Sequence, residues 1–228
     1  MDPETADIII RSRHTLLDIL DDRGYDTTAY RHIANEQILT LARGAPAALN
    51  MIVPRKATPG SSEGGVAEVV APCERAVVSY QLFTSIRLRM ATFVRDIFEI
   101  APDASETSTI KRTDDIIVVL NEPYHEIFDK TALQMWQLHK TRMVFFHIKQ
   151  LVVHPGRHVL VPPHKKLTAD ETVAVLERLH VINKSQLPLI KHHDIQARVL
   201  GLVPGDVVRI LRPSPTSGVA EVLRICAA

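Results

Sequence analysis

The stretch LGLVPGDVVRILRPSPTSGVAEVLRIC, residues 200–226, sets the architecture of the C-terminal part of the chain. Gly201 follows the apolar periodic run Ile195, Val199 and Leu200. A helix ends there on the residue type that enters the left-handed region without a Cβ clash. Pro204-Gly205 makes a turn. Val207 to Leu211 is apolar and rich in β-branched residues, which predicts a strand. Arg212 to Gly218 is expected to leave the ladder: Pro213 and Pro215 lack N–H donors, and Ser214, Thr216, Ser217 and Gly218 favour turns. Val219 to Ile225 predicts a second strand, with Val219, Leu223 and Ile225 on one face and Ala220, Val222 and Arg224 on the other. Glu221 interrupts the first face.

A lone hairpin is marginally stable, so its support must come from upstream. Thr168-Ala169-Asp170-Glu171 fits a capping box, in which the threonine oxygen accepts from the N3 amide and the Glu171 carboxylate reaches back. Val173, Leu176 and Leu179 follow at helical spacing and are expected to face the hairpin, contributing roughly 1.5–3 kcal/mol each. A shorter helix is expected to start near Asp194. Before the capping box, HVLVPPH (158–164) reads as extended chain with an exposed strand edge. His154-Pro155-Gly156 marks a boundary, giving domains at 1–153 and 154–228.

Further out, Ile9, Leu16, Leu17 and Leu20 recur at helical spacing after a cap at Thr5 or Asp7, with Arg11, Arg13 and His14 between them on a solvated face, and Gly24 closes the helix. A second helix is predicted over Tyr30–Ala42, with Ile33, Ile38 and Leu41 inward, and a short strand over Leu49–Val53. Thr58–Gly65 reads as a polar loop, Val66–Ala71 as a strand, and Ala76–Tyr80 as its hairpin partner through Cys73-Glu74-Arg75. Leu82, Ile86, Met90, Phe93 and Ile97 share one helical face, and Pro102–Ser108 is turn-rich. The uninterrupted apolar run Ile116–Leu120 predicts a strand covered on both faces. A helix over Thr131–His139, with Leu133, Trp136 and Leu138 inward, precedes the apolar run Met143–Val153, which suits strand or helix and is read as a strand ending the first domain. The fold class is therefore α+β: an N-terminal α/β domain with a small mixed sheet, then a small α+β domain.

The 228 residues are 46% hydrophobic and 23% charged, the balance of a globular chain, and the net charge of +1 argues against autonomous tight binding of nucleic acid. The N-terminus lacks the basic region of a signal peptide, and no apolar run approaches a bilayer span; an intracellular protein with no membrane partner is expected. Cys73 and Cys226 sit far apart in apolar contexts and read as buried thiols. His154, His158 and His164 are interrupted by prolines that forbid a helix aligning them, and no HExxH is present. Asp114, Asp115 and Glu122 flank the central strand but lack the order of a metal nuclease, and they read as solubilising charges. No GxSxG, phosphate-binding loop or GxGxxG exists. Neither catalytic nor metal residues, nor a cofactor, are expected.

Several ordered elements together carry a resemblance. Gln186-Leu187-Pro188-Leu189-Ile190, Asp194, Gly201, Pro204-Gly205-Asp206-Val207-Val208-Arg209-Ile210, Arg212-Pro213-Ser214 and Thr216-Ser217-Gly218 are similar to the C-terminal assembly domain of the fifth-largest shared subunit of the eukaryotic nuclear RNA polymerases, which has a counterpart in the archaeal RNA polymerase. HVLVPPH and the Arg23-Gly24-Tyr25 ending of the first helix resemble further family elements. The resemblance implies a non-catalytic structural subunit of a multi-subunit DNA-dependent RNA polymerase. Its partners would be the largest polymerase subunit and other subunits, and its location nuclear, in nucleoplasm or nucleolus. It implies a nuclease-like N-terminal jaw without the nuclease site, near downstream duplex DNA that is touched weakly and only within the complex. Docking is expected to use His158, Leu160, Val161, Pro162, His164, Arg209, Arg212, Pro213, Ser214, Thr216 and Gly218, with Arg11, Arg13, His125 and Lys130 nearest DNA. The sequence departs from the family at Ile195, Val199, Leu200, Val222 and Leu223, and in the loop Asn121-Glu122-Pro123-Tyr124-His125. That drift suits a paralogue dedicated to one polymerase class; a free-standing transcription adaptor is the other alternative.

Overall fold

The computed structural model describes residues 2–44, 46–56, 73–99, 110–111 and 113–228. It divides into two compact units, Met1–Val153 and His154–Ala228. The expected loops Thr58–Gly65 and Pro102–Ser108 and the strand Val66–Ala71 lie outside the described residues.

In the first unit the elements run α1 (Pro3–Asp22), α2 (Thr28–Arg31), α3 (Asn35–Gly44), β1 (Met51–Pro54), β2 (Arg75–Gln81), α4 (Met90–Glu99), β3 (Asp115–Leu120), α5 (Glu126–His139) and β4 (Arg142–His147). The sheet order is β1-β2-β3-β4, with β1 antiparallel to β2 and the other pairs parallel. All six residues of β3 are buried, as a strand flanked on both edges and covered on both faces requires. Ile116, Val118 and Leu120 pack with Met143 and Phe145 of β4 beneath Met90 and Ile97 of α4 and Phe128 and Met135 of α5. Both helices therefore lie on one face, as right-handed crossovers between successive neighbouring strands dictate. The other face belongs to α1: its Arg13 lies beside Tyr80, which is in register with Val119 of β3. Burial pushes the Tyr80 phenol up to about 12 against the pull of that guanidinium.

Several expectations are corrected in this unit. α1 starts earlier, from Asp2 as its N-cap. The predicted second helix is two, α2 and α3, with Ile38 and Ala42 as the buried residues of α3. The apolar stripe from Leu82 is helical only from the 3₁₀ turn Arg87–Arg89 onward. Leu138 is exposed, and Phe128 and Met135 supply the buried side of α5. After β4 the chain turns into the 3₁₀ segment Ile148–Leu151 rather than staying extended.

The second unit contains β5 (His164–Lys166), α6 (Ala169–Arg178), β6 (Leu189–Lys191), α7 (Ile195–Leu200), β7 (Val207–Ser214) and β8 (Gly218–Ala227), in sheet order β5-β7-β8-β6. The capping box forms: the Glu171 amide donates to Thr168 Oγ1 at 3.2 Å and the Thr168 amide donates to Glu171 Oε2 at 3.0 Å. Asp194 caps α7, and Gly201 closes it at φ 63°. The hairpin carries a core on each face. Val208, Ile210, Val222 and Cys226 pack with Ala197 and Leu200 of α7, while Val207, Leu223 and Ile225 pack with Val175 and Leu176 of α6. Because the sheet is covered twice, Glu221 does not spoil an apolar face; it sits where the ribbon has left the core and pairs with Arg178 at 2.6 Å.

The inward side of α6 differs from the expected one. Leu176 packs inward as expected, but Val173 and Leu179 are exposed, and Thr172 and Val175 take their place. β7 also runs on through Arg212-Pro213-Ser214, paired with Ala220, Val219 and Gly218. Alternation explains how proline is tolerated: the Leu211 amide donates outward, to Pro163 O at 3.1 Å, so the nitrogen of Pro213 faces the same outer side, where the ladder to β8 asks no donor of it.

Candidate assembly surface and the buried ionic cluster

The residues expected to dock lie in the segment leading into β5 and on the β7–β8 ribbon. His158 to Leu160 form a turn, closed by the Val161 amide on His158 O at 2.9 Å and by the Leu160 amide on His158 Nδ1 at 3.2 Å. This corrects the extended reading of HVLVPPH, which becomes strand only at His164, opposite Ile210. The turn holds Val159 and Leu160 out in solvent, at 96% and 84% exposure. Val161 is half-buried, and Pro162 leads into β5, its carbonyl 2.6 Å from His164 Nδ1. On the ribbon, Arg209 lies 3.7 Å from Glu221 and Arg212 and Pro213 are exposed. Ser214 Oγ sits 3.2 Å from Thr216 Oγ1 and accepts from the Ser217 amide at 3.4 Å, and Gly218 takes φ 70°, a conformation suited to glycine. The β5–β7 pairing sets His164 opposite Ile210 and Pro163 against Leu211, while Arg212–Gly218 belong to the end of the ribbon that pairs only within itself.

The residues expected near DNA are not brought together. Arg11 is exposed and pairs with Asp7 at 2.9 Å. Arg13 is 2% exposed and its Nη1 donates to Leu49 O at 3.0 Å, so it leaves both the DNA-proximal and the solvated-face readings: its helical position is an inward one, satisfied by a carbonyl. His125 is the N-cap of α5, its Nδ1 accepting from the Ile127 amide at 3.2 Å. Lys130 pairs with Glu126 at 3.3 Å. Arg11 and Lys130 sit on helices that cover opposite faces of the sheet.

The histidines at 154, 158 and 164 are engaged locally; His154 Nδ1 accepts from the Gly156 amide at 3.2 Å. The three carboxylates around β3 do not converge either. Asp114 precedes the strand, Asp115 opens it, and Glu122 follows it, about 20 Å away at strand rise.

Asp114 and Asp115 are buried rather than solubilising, at 1% and 0% exposure. Arg75 grips Asp114 with two bonds, 3.2 and 2.7 Å. Asp115 Oδ2 receives Arg23 at 2.8 Å, Tyr25 at 3.2 Å and Arg142 at 3.4 Å. Burial pulls the Arg23 guanidinium below its ordinary range, with Asp115 opposing, and pushes the Tyr25 phenol up. Arg142 Nη2 also reaches Cys73 Sγ at 3.6 Å. The cluster clamps the end of α1 to the first residues of β3 and β4. Its sequence signal is Asp115 immediately before the apolar run Ile116–Leu120, with an arginine closing α1.

Comparison with known proteins bears on the second unit first. Residues 153–226 match the family described as RNA polymerase Rpb5, C-terminal domain. The DNA-directed RNA polymerase subunit Rpo5 of Pyrococcus abyssi is 45% identical over 69 residues, 30% of this chain and 83% of that protein. The chain belongs to the RNA polymerase Rpb5 family. Within it, the DNA-directed RNA polymerases I, II, and III subunit rpabc1 of Dictyostelium discoideum is 26% identical over 223 residues, 98% of this chain and 99% of that protein. The corresponding subunit of Caenorhabditis elegans is 45% identical over 69 residues, 30% of this chain and 32% of that protein. All eleven expected docking residues fall inside the Rpb5-matched segment, while Arg11, His125 and Lys130 fall outside it. No helix among the described residues is long and apolar enough to cross a membrane.

Proposed function

We propose that this chain is a non-catalytic structural subunit of a multi-subunit, nuclear DNA-directed RNA polymerase. The carrying observation is the joint match of residues 153–226 to the Rpb5 C-terminal domain and of nearly the whole chain to a shared polymerase subunit. The second unit, residues 154–228, acts as the assembly domain and docks on the largest subunit through the His158–His164 turn and the β7–β8 ribbon. Solvent-exposed Leu160 and the largely exposed tip Arg212–Gly218 support this reading, since large apolar groups standing in water are typical interface anchors. The first unit is the lower jaw beside downstream DNA, a nuclease-like α/β layer without its site. A near-neutral chain tethered there needs few phosphate contacts, because the complex supplies a high local DNA concentration.

The test is affinity purification of the tagged chain from nuclear extract under mild salt. The largest polymerase subunit is expected to accompany it, and Leu160→Asp combined with Arg212→Glu is expected to lose that subunit while remaining folded. A wild-type chain that sediments alone overturns the reading.

A further inference from the structure

β2 ends at Gln81 and parallel β3 at Leu120, so the segments that follow them emerge on the same side of the sheet. Glu122 staples the two segments: its carboxylate accepts from the Ser85 hydroxyl at 2.8 Å and from the Ile86 amide. The result is a fixed rim at the carboxyl ends of parallel strands, where open α/β sheets carry their binding groups. Phe83, Leu88 and Tyr124 stand on this rim at 60%, 83% and 59% exposure, a concentration of large apolar surface that marks an interaction site. Arg87 and Arg89 flank Leu88, both exposed, and among the described residues neither forms an ion pair. Among the described residues, Glu122 is bonded as above and Asp129 accepts from the Tyr124 hydroxyl.

We propose that this rim docks an acidic protein segment that carries large apolar side chains. Two guanidinium groups that form no ion pair among the described residues fit carboxylates bidentately, and Leu88 and Phe83 gain only from an apolar partner. Duplex DNA fits less well, because its backbone is met by cationic and hydroxyl side chains and offers nothing to an exposed leucine. The site lies wholly within the first unit, and its test needs no polymerase.

The test uses the isotope-labelled full chain and a short synthetic peptide alternating aspartate with leucine and phenylalanine. Saturable amide shifts confined to residues 82–89 and 121–125 are expected. The affinity should fall at least about fivefold for Arg87→Glu/Arg89→Glu, for Leu88→Ser, and for a peptide with asparagine in place of aspartate. Phe83→Ser gives a second apolar variant, and unchanged shifts elsewhere certify the fold of each. No shift at the rim, or binding indifferent to Leu88 and Phe83, overturns the proposal. A duplex DNA that moves the same amides more tightly than the peptide also overturns it and reassigns the rim to nucleic acid.

Discussion

Arg23 and Asp115 stand 92 positions apart in the chain, yet the guanidinium donates to the carboxylate at 2.8 Å, with the two side chains 6% and 0% exposed. Arg142 shares the same oxygen. Removing the one negative charge leaves two arginines inside without it. Asp115→Asn is expected to lower stability by about 3–5 kcal/mol, the usual penalty for breaking a buried pair from one side. Urea denaturation checks this, with a lower midpoint at unchanged slope.

The α6 cap is testable through charge and hydroxyl separately. Thr168→Ala is expected to cost about 1 kcal/mol. The hydrogen bond from Lys165, then the Thr168 amide, holds Glu171 below its ordinary 4.5. A depressed carboxyl stabilises the fold above its unfolded value and loses that contribution as pH falls through its folded value. The stability gap between wild type and Glu171→Gln should therefore be full at neutral pH and close as pH drops below 4.5, as pH-dependent urea melts will record.

Both thiols should be inert while the protein is folded. Burial raises Cys73, and burial followed by the Asp206 charge pushes Cys226 up to about 12. Thiolate is the reactive form, so iodoacetamide at pH 8 is expected to label neither cysteine in the native chain and both in urea. Mass spectrometry reads the difference.

α6 ends in a Schellman motif built on the wrong residue type. The Val181 amide donates to Leu176 O at 2.9 Å and the His180 amide to Glu177 O at 3.0 Å, which places His180 at φ 53°. A side chain there carries a Cβ penalty that glycine avoids. His180→Gly is expected to stabilise the chain by about 0.5–1 kcal/mol in the same urea assay.

Much of this fold could be read from local signals. The capping box at Thr168, the glycine stop at 201, the apolar run at 116–120 and the paired strands of the tail each depend on a few adjacent residues. Burial of polar groups could not be read in the same way. Arg13 and Asp115 look like surface charges until the carbonyl of Leu49 and the guanidinium of Arg23 arrive from 36 and 92 positions away. Val173 and Leu179 of α6 face outward for a related reason, although Leu176 packs inward as its spacing predicts. Val173 and Val175 are equally apolar, and only the position of the hairpin decides which is covered. The HVLV turn escaped notice because β-branched residues favour strands, while here the side chain of His158 captures the backbone two residues on.

The β7–β8 ribbon is longer than its neighbours. β5 accompanies it only from Val208 to Ile210, and β6 only from Ile225 to Ala227. One continuous pair of strands thus passes from a four-abreast platform into a two-abreast prong. The root is locked by helices above and below, and the prong holds its shape by its own rungs alone. A distortion at the tip is therefore not carried into the packed root by any third strand among the described residues.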